Sequence, residues 1–215
     1  PDGKKEAIII DIEEKLQEFI SFYQSRNVNL PPNFEDTIRD IWNRNQGDIE
    51  KAIKENGFND ILLIPPTPNI GELSEKMKME NGYYDFINSP NSTVDTLKNI
   101  PLTSQNVDKP RIVLVHNTQN LEDRPELAKT LNTKGEDVKL DQTLPLEDYL
   151  IFSNKYYEKN KKHLDEANYI WLATKSGARL VLSVWDLDDR RLSVEADDLG
   201  YQVSLLGVRP SRCFY

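Results

Sequence analysis

Residues 179–186 read Arg-Leu-Val-Leu-Ser-Val-Trp-Asp, an alternation that few folds accommodate. Side chains along a strand point alternately to its two faces. Arg179, Val181, Ser183 and Trp185 therefore share one face, and Leu180, Leu182, Val184 and Asp186 share the other. A turn at Asp188, Asp189 and Arg190 leads into a second alternation. It puts Leu192, Val194 and Ala196 on one face and Ser193, Glu195 and Asp197 opposite. The first strand is apolar on both faces, and the loop after the second carries Leu199, Tyr201, Val203 and Leu205. Either each face is covered by another element, or part of it stays exposed as an interaction surface. The pattern alone leaves both open.

Upstream the periodicity is helical. Ile8, Ile12, Leu16, Phe19, Ile20 and Tyr23 recur at helical spacing with charges on the opposite face. Residues 27–32 end in two prolines, which cannot continue a helix. Asn33 is the expected N-cap of a second helix that buries Phe34, Ile38, Ile41 and Trp42. Gly47 and Asp48 should open a third, with Ile49, Ala52 and Ile53 inward and Gly57 as its stop. These three make a helical amino-terminal region over residues 1–57, which loosely resembles a ubiquitin-associated-type three-helix unit. Residues 61–64 form a short buried strand closed by Pro65, Pro66 and Pro68, and a short helix is expected over 70–79. Residues 80–110, rich in Asn, Ser, Pro and Gly, read as a long irregular loop. A second buried strand spans 111–116, and Pro125 starts a short helix through Leu131. Thr143 is the expected cap of the strongest helix, over 144–160, with Leu146, Tyr149, Leu150, Ser153, Tyr156 and Tyr157 on one face.

Whole-chain properties exclude several classes. The 215 residues give room for one medium domain or two small ones. A formal net charge of -9 gives nucleic-acid binding little support. No apolar run approaches the roughly 20 residues of a membrane span. Cys213 is the only cysteine, so an internal disulfide, a two-cysteine redox pair and a cysteine-rich zinc site are excluded, and a reducing compartment is favoured. The chain begins at Pro1 with no Met before it, so an upstream segment is expected to have been removed or left out.

Several motifs combine near the end: Trp171, Ser-Gly-Ala-Arg at 176–179, Ser183 with Trp185, Arg190-Arg191-Leu192 with Val194, Ala-Asp-Asp at 196–198 and Gly-Val-Arg-Pro-Ser-Arg at 207–212. Together they resemble the variable proteins of diversity-generating retroelements, most closely those of uncultivated bacteria and their phages. The resemblance is strong over residues 165–214, extends back to residue 58 and is silent on 1–57. It implies a C-type-lectin fold of the formylglycine-generating-enzyme type. It also implies that a reverse transcriptase copies a template with errors at adenines and replaces the matching end of the gene. Carried over residue by residue, the fixed framework is Trp171, Ser176, Gly177, Ala178, Arg179, Trp185, Arg190, Arg191, Leu192, Val194, Ala196, Gly207, Val208, Arg209 and Pro210. The diversified, ligand-binding positions are Leu180, Leu182, Val184, Asp186, Leu187, Ser193, Leu199, Tyr201 and Ser204. Glu195 and Gln202 stay unassigned, because two-adenine codons ending in a pyrimidine cannot yield them. The framework set holds residues that fix turns, core and hydrogen bonds, whereas the second set mixes Leu, Val, Asp, Ser and Tyr with no common structural demand.

The expected fold is α+β, a C-type-lectin-like domain over 58–215 with the small helical region before it. Residues 61–64 should lie near the terminal strand at 206–210, and the helix over 144–160 should pack on the sheet through Tyr149, Leu150 and Tyr156. Trp185 should be buried, with Leu182, Val184, Leu187 and Tyr201 on one exposed surface. No catalysis and no cofactor are expected. The oxidases of this fold use two cysteines, and His116 has no identifiable nucleophile or metal partner. His163 reads as solvated at a lysine-rich helix end. Asp186, Asp188, Asp189, Asp197 and Asp198 lack the spacing of a calcium loop, and Arg190 and Arg191 compete for their carboxylates, so no metal site is expected. Tyr156 and Tyr157 among Lys155, Lys159, Lys161 and Lys162 read as a solvated helix end. The implied ligand is a protein or a cell-surface molecule. The rival reading is an intracellular adaptor that uses the helical region.

Overall fold

The computed structural model describes residues 10–77, 84–87, 94–95, 102–188 and 190–215. Helix α1 (Ile12–Ser25) starts where the Asp11 carboxylate accepts hydrogen bonds from the amides of Glu13 and Glu14, and it buries Leu16, Phe19, Phe22 and Tyr23. Helix α2 (Phe34–Asn56) runs unbroken through Gly47 and ends at Gly57, whose φ of +73° suits a residue without a Cβ. The expected second and third helices are therefore one. A mid-helix glycine costs about 1 kcal/mol. Here it sits with open space around its Cβ position while Ile38, Ile41, Ile49 and Ala52 are buried along the same helix. Asn33 precedes α2 but makes no side-chain capping bond.

Two further helices, α3 (Ile70–Lys76) and the one-turn α4 (Pro125–Ala128), precede the central helix α5 (Leu146–Asn160). The strands are β1 (Asp60–Ile64), β2 (Tyr84–Ile87), β3 (Val94–Asp95), β4 (Leu102–Ser104), β5 (Arg111–Val115), β6 (Tyr169–Ser176), β7 (Arg179–Asp186), β8 (Arg191–Asp197), β9 (Leu206–Val208) and β10 (Arg212–Phe214). Segments β2, β3 and β4 fall where an irregular loop was expected. They form because partners distant in sequence supply the ladders: β2 runs parallel to β8, and β4 antiparallel to β6. Of that stretch, residues 80–83, 88–93 and 96–101 lie outside the described residues.

The protein is mixed α+β with two mainly antiparallel sheets. The small one has the order β1-β5-β10, and the large one β3-β2-β8-β7-β6-β4 with β9 parallel to β6. Strands 61–64 and 206–208 therefore lie in different sheets. The terminal strand that shares a sheet with β1 is β10, with β5 between them. The expected neighbour was wrong by one strand because Pro210, which cannot donate to a ladder, separates β9 from β10. Helices α1 and α2 pack on β1 and β5, and the Tyr23 hydroxyl donates to the Leu63 carbonyl at 2.8 Å. One continuous apolar core joins these helices to both sheets.

Helix α5 is buried at every position from Leu146 to Asn154, which no single apolar stripe would produce. Its first free amide, on Leu146, is held by the Thr174 hydroxyl of β6 at 2.8 Å rather than by Thr143. The Thr143 hydroxyl instead donates to the Lys139 carbonyl. Tyr149 and Leu150 are fully buried and Tyr156 half-buried, with α5 touching β1 and β6. Burying this helix all round also buries its acids. Asp148 is paired with Arg111 of β5, and Arg111 donates as well to Thr67 and to the Lys109 carbonyl.

Glu147 has no such cation. Burial pushes its carboxyl up to about 7, and its Oε2 has no hydrogen-bond partner. The folded chain therefore holds a proton that the unfolded chain releases near the ordinary value of 4.5. The stability that this one group contributes is full below about pH 4.5, is lost as pH rises towards about 7 and is absent above that. His116 and His163, both with pKa values lowered to about 4, contribute the opposite slope between about pH 4 and 6.5. The stability of Glu147→Gln relative to the unchanged chain should therefore rise across about pH 4.5–7 in a series of thermal melts. A difference that does not change with pH would show that Glu147 does not hold the proton.

Candidate functional site

Strands β6, β7 and β8 form an antiparallel meander whose register places Trp171 opposite Leu182, Leu182 opposite Glu195, and Val184 opposite Ser193. One face of the meander joins the main core through Ile170, Leu172, Val181, Trp185, Leu192, Val194 and Ala196. Trp185 is buried, as its strand position required, and its indole stacks at 3.2 Å between ring centroids on His163. His163 in turn stacks on Tyr157 at 4.4 Å. It is thus a half-buried filler between two aromatic rings and not a solvated side chain, and burial lowers its pKa to about 4.

The opposite face divides along its length. At one end Trp171, Leu180, Leu182, Leu206 and Val208 form a second apolar cluster, edged by Val138, Leu140, Tyr169 and Val203. The cover is hydrogen-bonded in place. Trp171 Nε1 donates to the Thr133 carbonyl at 2.9 Å, Glu136 N to the Leu199 carbonyl at 2.9 Å, and Gln202 Nε2 to the Asn132 carbonyl at 2.6 Å. Leu180 and Leu182 are consequently 1% exposed, and Ser193, opposite Val184, is 2% exposed, so these three expected surface positions belong to the interior. Any signal in the sequence lay in Val138 and Leu140, which are apolar in an otherwise polar stretch and needed something to cover.

Beyond Leu182 on β7, Val184 and Asp186 are half-buried and Leu187 is 61% exposed at the hairpin end. Glu195 and Asp197, opposite Leu182 and Leu180 on β8, are half-buried as well. Leu199 is 40% and Tyr201 38% exposed, and Ser204 is exposed in the same loop. The Tyr201 ring meets Trp171 edge-to-face at 6.4 Å, so the loop is seated on the sheet. Burial, with Asp197 and Asp186 nearby, raises the Glu195 pKa. Burial and the neighbouring Asp197, Tyr169 and Glu195 raise that of the Tyr201 hydroxyl. The structure therefore brings six of the nine expected positions, Val184, Asp186, Leu187, Leu199, Tyr201 and Ser204, to solvent. It adds Glu195 and Asp197, which the sequence reading had not included.

The residues after this face are tied inward. Gly207 is close-packed, since a Cβ there would stand 2.4 Å from Leu121 Cδ1. Arg209 is buried and chelates Asp165 through Nε and Nη2, while Nη1 donates to the His116 carbonyl and Nη2 to those of Thr118 and Gln119. His116 is itself buried, with its ring 4.7 Å from Phe58 and Nδ1 lacking a partner. Burial and the nearby Arg124 lower its pKa to about 4, which leaves it neutral at pH 7. Burial pushes the Cys213 thiol up to about 12, so almost no thiolate forms at neutral pH. Cys213 should stay unlabelled by a disulfide reagent in the native protein and react fully in denaturant. Rapid native labelling would contradict that burial.

Elsewhere, a cavity of about 420 Å³ lies between α1, the start of β1 and the end of α5, lined by Glu14, Lys15, Asp60, Asn117, Tyr156 and Lys159 among others. Three of its charges, Lys15, Glu18 and Asp60, are already joined. Lys15 Nζ lies 2.6 Å from Asp60 and 3.4 Å from Glu18, and Asn117 Nδ2 donates to Asp60 at 2.6 Å. Among the described residues no group of three or more His, Cys, Asp or Glu is placed to hold a metal ion. Among the same residues no helix is long and apolar enough to cross a membrane.

Fold and surface together define a mixed α+β protein that offers an open, acidic and aromatic sheet face held on a buried framework. Comparison with protein families, curated proteins and solved structures found no match.

Proposed function

We propose that this is a non-catalytic ligand-binding protein with a C-type-lectin-type fold, whose carboxy-terminal face is diversified by a retroelement. The observation that carries the reading is the sorting of residues along 171–210. Eight of the fifteen motif residues, Trp171, Trp185, Leu192, Val194, Ala196, Gly207, Val208 and Arg209, are buried, and three, Gly177, Ala178 and Arg190, are exposed in turns. Leu187, Leu199, Tyr201 and Ser204 of the second set are exposed. A position free to become almost any residue cannot also be needed by the core. The diversified set is accordingly reduced to Val184, Asp186, Leu187, Leu199, Tyr201 and Ser204. The sharing of one sheet by the first and last strands of 58–215 supports the fold assignment.

Sequencing of the surrounding DNA tests the proposal. A near-copy of the segment encoding residues 171–214, differing mainly at adenines and lying beside a reverse-transcriptase gene, is the expected result. Variation among sister genomes should then fall on those six codons and spare 180, 182 and 193. Absence of the copy would favour an adaptor that uses α1 and α2.

A further inference from the structure

Helices α1 and α5 meet through one ion pair and enclose the polar cavity beside it. The Lys155 ammonium lies 2.7 Å from Glu18, and Lys15 lies 3.4 Å from the same side chain. Residues four apart share a helix face, so Glu14 adjoins Glu18 on α1 and Lys159 adjoins Lys155 on α5. These two do not repeat the pairing. Both line the cavity of about 420 Å³. Among the described residues neither the Glu14 carboxylate nor the Lys159 ammonium makes a hydrogen bond or ion pair. The floor between them is already balanced, since Asp60 holds both Lys15 and the Asn117 carboxamide at 2.6 Å. Tyr156 and Asn160 complete the α5 side, and a recess of about 20 Å³ continues inward against Phe19, Leu62 and Phe152.

The cavity is therefore bipolar, with an unanswered carboxylate on the α1 wall and an unanswered ammonium on the α5 wall. A simple anion would satisfy Lys159 but face Glu14 and Asp11. A simple cation would satisfy Glu14 but face Lys159 and Lys15. A molecule that carries both charges answers both walls at once through charge-assisted hydrogen bonds. The volume is near the lower end of the roughly 300–1,000 Å³ of small-molecule sites, which limits the ligand's size. We propose that this cavity binds a small zwitterion of the amino-acid class, with its ammonium on Glu14 and its carboxylate on Lys159. The site shares no residue with the carboxy-terminal sheet face and does not depend on how that face is read.

The probe is L-alanine, titrated into the isotope-labelled full chain and followed through amide chemical shifts. Saturable shifts in roughly the millimolar range are expected, confined to the cavity walls at 10–18, 59–62, 117 and 155–160. Lactate lacks the ammonium and ethylammonium lacks the carboxylate, so each should bind at least about tenfold more weakly. Glu14→Gln and Lys159→Met should each weaken alanine roughly fivefold or more. Both side chains are exposed, so neither substitution threatens the fold. Glu55→Gln with Lys51→Met, exposed on α2, removes the same two kinds of charge and should leave binding within about twofold. Shifts that are absent or centred elsewhere would overturn the proposal, as would lactate or ethylammonium binding as tightly as alanine. Unchanged binding in both cavity variants, or an equal loss in the α2 control, would overturn it too. None of those results touches the diversification reading, which stands or falls on the template copy.

Discussion

Arg209→Met should lower the unfolding free energy by about 3–5 kcal/mol, the cost of stranding one charge of a buried pair. The guanidinium is 1% exposed and donates to Asp165 and to three backbone carbonyls, of His116, Thr118 and Gln119. Without it Asp165 keeps only the Tyr149 hydroxyl, at 2.9 Å, among its side-chain partners. The three carbonyls lose a donor at the same time. Denaturant unfolding of the variant measures the loss directly. Asp165→Leu combined with Arg209→Met should recover part of it, because an apolar pair strands no charge. A loss below about 1 kcal/mol in the single variant would mean that water reaches Asp165 and that the pair is not a keystone of the fold.

The Arg209 motif shows how far sequence can lead. The run Gly-Val-Arg-Pro at 207–210 marked a constrained segment, yet its partner Asp165 sits 44 residues upstream in an ordinary polar stretch. Local patterns of this kind read well: the starts of β1, β5, β7 and β8, the Gly57 stop and the burial of Trp185 follow from alternation, turn chemistry and residue size. Contacts made by distant partners did not read. Strands β2 and β4 exist through pairing with β8 and β6, β3 adds to β2, and α5 is capped by Thr174, 28 residues further on. Gly47 failed as a boundary for the opposite reason: helix-long burial outweighed a weak local preference. The candidate face was legible only in half. Alternation gave its side chains the right side, but the lid of residues 132–140 and 199–208 decides which of them see water.

That lid makes the two leucines of one expected surface behave in opposite ways. Leu182→Ser should cost about 2–5 kcal/mol, as loss of a large buried aliphatic does, with the added burden of an interior hydroxyl. Leu182 lies opposite Trp171 and inside the cluster closed by Leu206 and Val208. Leu187→Ser should change stability by no more than about 0.5 kcal/mol, the usual scale for surface positions. Its side chain stands in solvent at the end of β7, 61% exposed. Both are leucines, five positions apart, so composition and local propensity nearly cancel from the comparison. Paired thermal and denaturant melts of the two variants give the difference. Equal small losses would mean that the lid opens readily and that Leu182 can vary with the rest. Equal large losses would mean that something in this chain covers Leu187. The division of the face into covered and open halves requires the two losses to differ by at least about 1.5 kcal/mol.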